Sequence, residues 1–156
     1  MVELLRILLP IDFSEPSREA AKYAFSLADR FGAELHALHV VEAIAPTLPE
    51  AARHMASFPK DFMAQARQAA ERELAAALPS DLAGGRDVVR VVAEGSPLSQ
   101  ILEYATTNNI DLIVMGTQGR TGLSQFLVGS VAERVVRHAS CPVLTVRPPQ
   151  HRAAAP

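Results

Sequence analysis

The chain is predicted to fold as one α/β domain, an open five-stranded parallel sheet with helices on both faces. Three observations predict it. Five short runs rich in Val, Ile and Leu alternate with four stretches of helical periodicity. They follow in the order β-α-β-α-β-α-β-α-β, the pattern of a parallel sheet whose crossovers are helices. The first and fourth runs, Leu4–Ile11 and Ile110–Met115, are apolar without alternation, as strands buried on both faces must be. They are therefore placed at the sheet centre.

The first strand ends at Asp12. Ser14 is a good N-cap for the helix that follows, with Pro16 in its first turn. Ala20, Ala24, Leu27, Ala28 and Phe31 recur at helical spacing, and Gly32 is a C-terminal stop. Glu34–Val41 is the second strand. Residues 42–58, with Pro46 and Pro49, read as a loop; Met55 and Phe58 make it either a lid or a variable linker. Met63, Ala66, Ala70, Leu74, Ala77 and Leu78 form a helical stripe within Pro59–Leu78, broken by Pro79 and Gly84-Gly85.

Asp87–Val92 is the third strand. Ser96 and Pro97 open the next helix, with Leu98, Ile101, Leu102 and Ala105 inward and Asn108-Asn109 at its end. After the fourth strand, a glycine-punctuated stretch leads into the helical run from Val131 to about Ala139. Pro142–Arg147 is the fifth strand. The domain is assigned to residues 1–147, and 148–156 to a disordered tail.

At 156 residues, one domain buries about two-thirds of its unfolded surface. A net charge of −2 and only two lysines, Lys22 and Lys60, give no electrostatic footprint for nucleic acid or an anionic membrane. No apolar run approaches the ~20 residues of a membrane span. The start, Met-Val-Glu-Leu-Leu-Arg, does not read as a signal peptide. Cys141 is the only cysteine, which fits a reducing compartment, so the expected location is cytoplasmic.

The stretch Gly116-Thr-Gln-Gly119-Arg120 … Gly129-Ser130 joins a strand end to a helix start. Glycines there let the backbone approach an anion and take positive φ. The first-turn N–H groups of the helix then face that anion, with the helix dipole behind them. The spacing is Gly-x2-Gly-x9-Gly-Ser. It is neither a P-loop nor a Gly-x-Gly-x-x-Gly fingerprint. In open parallel sheets, ligands bind beyond the strand C-termini where strand order reverses. Asp12 and Gly116 both stand at such ends, and face one crevice if their strands are neighbours.

These motifs carry a family resemblance. Ile-Leu-Leu-Pro-Ile-Asp12-Phe-Ser14, His-Val-Val41, Asp-Leu-Ile-Val-Met-Gly-Thr-Gln-Gly-Arg, Val-Gly-Ser-Val-Ala-Glu-Arg-Val and Cys-Pro-Val-Leu-Thr-Val-Arg together span almost the whole chain. The chain resembles a universal stress protein of the ATP-binding subgroup. The resemblance implies a Rossmann-like fold of the adenine nucleotide alpha hydrolase type, with strand order 3-2-1-4-5. It implies that Asp12 contacts the ribose hydroxyls and helps with a metal, and that Val41 frames adenine through its backbone while its side chain remains core. Pro10, Ile11 and Met115 would line the wall. Gly116, Gly119, Gly129, Ser130 and Val131 would surround ribose and phosphates, with Arg120 and Gln118 reaching outward. Read alone, Asp12 and Ser130 serve equally as helix caps, Arg120 as a solvated charge, and the wall residues as core.

The glycine stretch holds no Lys, Asp, Glu or His to activate water or clamp a transferred phosphoryl group. A helix terminus contributes roughly 0.3–2 kcal/mol toward a negative charge, against the ~8 kcal/mol or more expected of an efficient enzyme. The expectation is an ATP-binding switch or sensor with slow or no hydrolysis, no catalytic residues, and Mg²⁺ arriving with the phosphates. The alternatives are a partner-binding domain of the same family without nucleotide, and a slow ATPase. His36 and His39, three apart on one strand, face opposite sides and suit core or helix contacts, so no metal site is assigned. Cys141, at the start of a strand, reads as buried. The fifth strand, Val143–Val146, is an apolar sheet edge without protecting charge. Pairing with its copy would give the two-fold homodimer that the resemblance also implies.

Overall fold

The computed structural model describes residues 3–42, 61–78, 87–117 and 129–147. The elements are β1 (Arg6–Pro10), α1 (Glu15–Phe31), β2 (Glu34–Val41), α2 (Phe62–Ala77), β3 (Val88–Glu94), α3 (Pro97–Thr107), β4 (Leu112–Gly116), α4 (Ser130–His138) and β5 (Val143–Val146). All strands are parallel, in the order β3-β2-β1-β4-β5. Gln118, Gly119 and Arg120 lie outside the described residues, as do Met55, Phe58 and the segment 148–156.

Two strand limits differ from expectation for traceable reasons. β4 starts at Leu112 rather than Ile110, because Asp111 is used as a tie. Its Oδ2 accepts the N–H groups of Leu5 and Arg6, each at 2.8 Å, and Asn109 before it takes φ 49°. β3 continues to Glu94 because its register with β2 holds as far as Val41.

The core forms two layers. α1 and α2 cover one face, where Ala20, Ala24, Ala28, Ala70 and Leu74 meet Ile7, Leu9, Ala37 and Val114. α3 and α4 cover the other, where Ile101, Ala105, Ala132 and Val135 meet Leu8, Leu38, Ile113 and Met115. β1 and β4 thus send successive residues to opposite layers, which is why their sequences do not alternate. Each fully buried aliphatic side chain contributes about 1.5–3 kcal/mol of transfer free energy.

Helix ends follow local chemistry. Ser14 caps α1 from an extended conformation, accepting the Ser17 N–H, and Pro16 occupies the first turn. Gly32 closes α1 at φ 68°, its N–H returning to the Ala28 carbonyl. Ser96 occupies the N-cap of α3 but makes no side-chain cap bond; Pro97 follows it. At α4 the N-cap is Gly129, and Ser130 is already the first helical residue.

Candidate functional site

Ile7 pairs with Leu112, and Leu8 with Ile113, so β1 and β4 are neighbours. The chain runs outward from β1 through β2 to β3, then crosses to β4 and on to β5. Connections diverge at that reversal and leave a gap beyond the strand ends. A crevice with about 200 Å³ of solvent-accessible space opens there. Pro10, Ile11 and Asp12 line it from the end of β1 and the two residues after it, Met115 and Gly116 from β4, and Gly129, Ser130 and Val131 from the N-cap and start of α4. Eight of the expected site residues thus share one cavity wall, although they come from three distant segments.

The start of α4 presents donors. Its first intrahelical bond runs from the Glu133 N–H to the Gly129 carbonyl, at 3.0 Å. The amides of Ser130, Val131 and Ala132 precede that ladder, and all three residues line the crevice. The N–H of Gly129 itself is engaged with the Thr117 carbonyl, so the donor set begins at Ser130.

The glycines act differently from expectation. Gly129 adopts φ −60° and ψ 149°, an extended conformation open to any residue. Gly116 does not take positive φ either; the described glycines that do are Gly32 and Gly95. Gly116 is required by packing instead. A Cβ there would sit 2.7 Å from the Pro16 carbonyl carbon and 2.9 Å from its Cβ and oxygen. The residue lets the start of α1 close on the end of β4.

Val41 keeps its side chain in the core, and only its backbone was expected at the ligand. Val40 and Glu42 line the crevice, whereas Val41 packs toward the core under α1 and α2. Its carbonyl accepts the Gly95 N–H at 3.0 Å, so that backbone group is committed to the turn before α3. Strand alternation explains the result, because Leu38 and Val40 face the α3–α4 layer and Val41 the other.

Asp12 is tied to the start of α1. Its Oδ1 accepts the Ser14 N–H at 3.1 Å and the Ser14 hydroxyl. Asp12 therefore braces the capping residue Ser14 and is not itself the cap, while it also lines the crevice. Leu38, Val40, Pro97 and Ile101 add an apolar flank, and Ser17, His39 and Glu42 add polar groups. Among the described lining residues the charged ones are the carboxylates Asp12 and Glu42. Positive potential on the described walls comes from the α4 terminus.

Phe13, next to Asp12, takes φ 65°, a left-handed conformation that costs a bulky residue about 1–3 kcal/mol. It is held by packing: Phe13 is 8 % exposed, and its ring lies 4.5 Å from the His39 ring at 31°. The sequence carries no separate signal for Pro97, Ile101 or His39 at this crevice, because each also satisfies its own element's pattern.

The other described ionisable groups serve the scaffold. His36 Nδ1 is 2.8 Å from the Tyr104 hydroxyl of α3, and its Nε2 is 3.1 Å from Glu34 Oε2. Nε2 is buried and has no well-aligned hydrogen-bond partner. The His36 contact nonetheless is the chief influence holding the Glu34 carboxyl below its ordinary value; Arg6 assists and partial desolvation opposes. Cys141 is partly buried, and desolvation first, then Asp111, raises its thiol. No cluster of metal-ligating side chains and no helix able to cross a membrane occurs among the described residues.

Comparison with known proteins agrees with this architecture. The model of the universal stress protein family matches residues 4–147. Universal stress protein MJ0531 of Methanocaldococcus jannaschii is 37% identical over 145 residues, covering 93% of this chain and 83% of its own. The structure of universal stress protein UspA from Lactobacillus plantarum superposes with a TM-score of 0.72 at 28% identity, over 94% of this chain and all of that one (100%). A universal stress protein in complex with cAMP shares the fold, with a TM-score of 0.66 at 23% identity over 95% of this chain and 100% of its own. With sequence match, strand order and crevice in agreement, the chain belongs to the universal stress protein family.

Proposed function

We propose that this protein binds an adenine nucleotide, ATP with Mg²⁺, in the β1–β4 crevice and acts as a nucleotide-dependent switch in a stress response. The observation that carries the reading is the meeting of two chemistries across one gap. The unpaired-ladder amides of Ser130, Val131 and Ala132 stand on one side, and the Asp12 carboxylate on the other. Amides at a helix start suit phosphate oxygens. A carboxylate is an acceptor and suits ribose hydroxyls. The apolar flank of Leu38, Val40, Pro97 and Ile101 suits a base.

The donor set therefore fits a nucleotide. Ser130 adds a hydroxyl, and Gly119 and Arg120 complete the motif in sequence. Bound Mg²⁺ would supply charge neutralisation on the phosphates, which the two carboxylates of the described wall do not. The cAMP complex of a protein with the same fold supports an adenine ligand. Hydrolysis is slow or absent in this reading, since the charged side chains of the described wall are carboxylates and give no cationic clamp for a transferred phosphoryl group. The proposal includes a cytoplasmic homodimer joined through Val143–Val146 of β5, whose outer edge has no strand partner among the described residues.

Calorimetric titration of ligand-stripped protein with ATP, ADP and AMP, with and without Mg²⁺, tests the reading. Saturable heat that is weakened by Asp12→Ala is expected. No heat with any adenine nucleotide overturns it. Mass spectrometry of the ligand released from freshly purified protein identifies the nucleotide independently.

A further inference from the structure

We infer that His39 is a positioning residue, a clamp on the β1 exit that sets where the Asp12 carboxylate stands in the crevice. The inference rests on the reading of Asp12 as the group that holds the ribose. His39 is 7 % exposed and belongs to β2, one strand away from the residue it controls.

Three contacts define the clamp. The Ile11 N–H donates to the Leu38 carbonyl at 2.9 Å, continuing the sheet one step past β1. The Ile11 carbonyl lies 2.8 Å from His39 Nδ1. A carbonyl only accepts, so the ring carries a proton on Nδ1. The same ring packs on Phe13, centroids 4.5 Å apart.

His39 thus touches the residue before Asp12 by hydrogen bond and the residue after it by ring contact. Between them the backbone turns sharply, with Phe13 at φ 65°, before Ser14 caps α1. A bulky residue stays in that conformation only when its surroundings over-determine it. The imidazole provides that constraint on one side, and the Ser14 bonds to Asp12 Oδ1 provide it on the other. No ring carbon in place of Nδ1 meets both demands. Phenylalanine at position 39 keeps the stack and loses the donor, whereas asparagine has its amide nitrogen near the Nδ1 position and retains the donor.

The test uses the full chain as wild type, His39→Phe, His39→Asn, Asp12→Ala and the Asp12→Ala/His39→Phe pair. Affinities are measured for ATP and 2′,3′-dideoxy-ATP. His39→Phe is expected to weaken ATP roughly tenfold, as loss of a buried hydrogen bond allows. His39→Asn restores most of that loss, dideoxy-ATP is indifferent to the change, and the pair is no weaker than Asp12→Ala alone. Equal losses for both nucleotides, or additive losses in the pair, overturn the inference.

Two measurements need no nucleotide and so separate this inference from the proposed function. Imidazole nitrogen shifts of wild type are expected to place the proton on Nδ1; a proton on Nε2 alone overturns the clamp. The Asp12 carboxyl carbon shift is expected to move in His39→Phe and return in His39→Asn. If the wild type binds no adenine nucleotide, the nucleotide reading fails, and an Asp12 signal unmoved by His39→Phe sinks the clamp as well.

Discussion

Gly116 and Pro16, a hundred residues apart in sequence, are in contact so close that neither tolerates an added carbon between them. A Cβ on Gly116 would lie 2.7 Å from the Pro16 carbonyl carbon. The atoms it meets are mostly backbone, at the first turn of α1, and cannot swing aside as the tip of a long side chain does. Gly116→Ala is therefore expected to destabilise the fold by about 1–3 kcal/mol, the usual range for overpacking. A lowered urea midpoint at unchanged slope checks it. Because Gly116 lines the crevice, ligand affinity falls with it; an unchanged midpoint would show that the packing yields.

Gly129 offers the opposite sign. It caps α4 without any side-chain bond, in a conformation that every residue accepts. An aspartate is a good N-cap, and its carboxylate would accept from the first-turn amides. Gly129→Asp is expected to hold or raise the melting temperature by the equivalent of a few tenths of a kcal/mol. The same carboxylate would occupy and repel the phosphate position, so affinity for ATP should fall by about tenfold or more, and for adenosine much less. Thermal unfolding and calorimetry on one preparation read both effects, and a variant that binds ATP normally counts against phosphate at this helix.

Much of the fold was legible because it is written locally. Apolar runs gave the strands, Ser14 and Gly32 marked the ends of α1, and the unbroken apolar character of β1 and β4 put them at the sheet centre, where they pair. What was not legible depends on parity or on distance. An apolar run such as His39-Val40-Val41 does not say which parity faces which layer, so Val40 and Glu42 were not anticipated on the crevice wall. Gly116 looked like a loop glycine because Pro16 is nearby only in the folded chain. The Asp111 tie that delays β4 is likewise a contact across more than a hundred residues.

Glu34 makes acid stability testable. Its carboxyl is held below the ordinary value of 4.5, chiefly by His36. A carboxyl that ionises more readily when folded adds stability at pH values above its unfolded value. That contribution is lost as pH falls from about 4.5 through the folded value. Half of the side chain is exposed, so solvent screens the effect and the gain is small. Glu34→Gln is therefore expected to be less stable than wild type at pH 6 and to approach it as the pH falls below 4.5, as read by urea midpoints across the acid range. A gap that persists or widens on acidification rules out this linkage.

The β5 edge fixes the assembly prediction. Val143–Val146 closes the sheet on one side, carries no charge or proline, and leaves Leu144 37 % exposed. Such an edge pairs with another strand unless something protects it. A two-fold axis would bring a second β5 antiparallel to the first and cover both. Light scattering at micromolar concentration should then return twice the 16.8 kDa of one chain. Leu144→Lys sets a charge on that edge at a position already partly in solvent, so the monomer's fold should survive while the dimer dissociates. The mutant is expected at half the wild-type mass with an unchanged circular dichroism spectrum. A wild type that scatters as a monomer removes the dimer from the proposal, and a Leu144→Lys dimer moves the interface elsewhere on the protein.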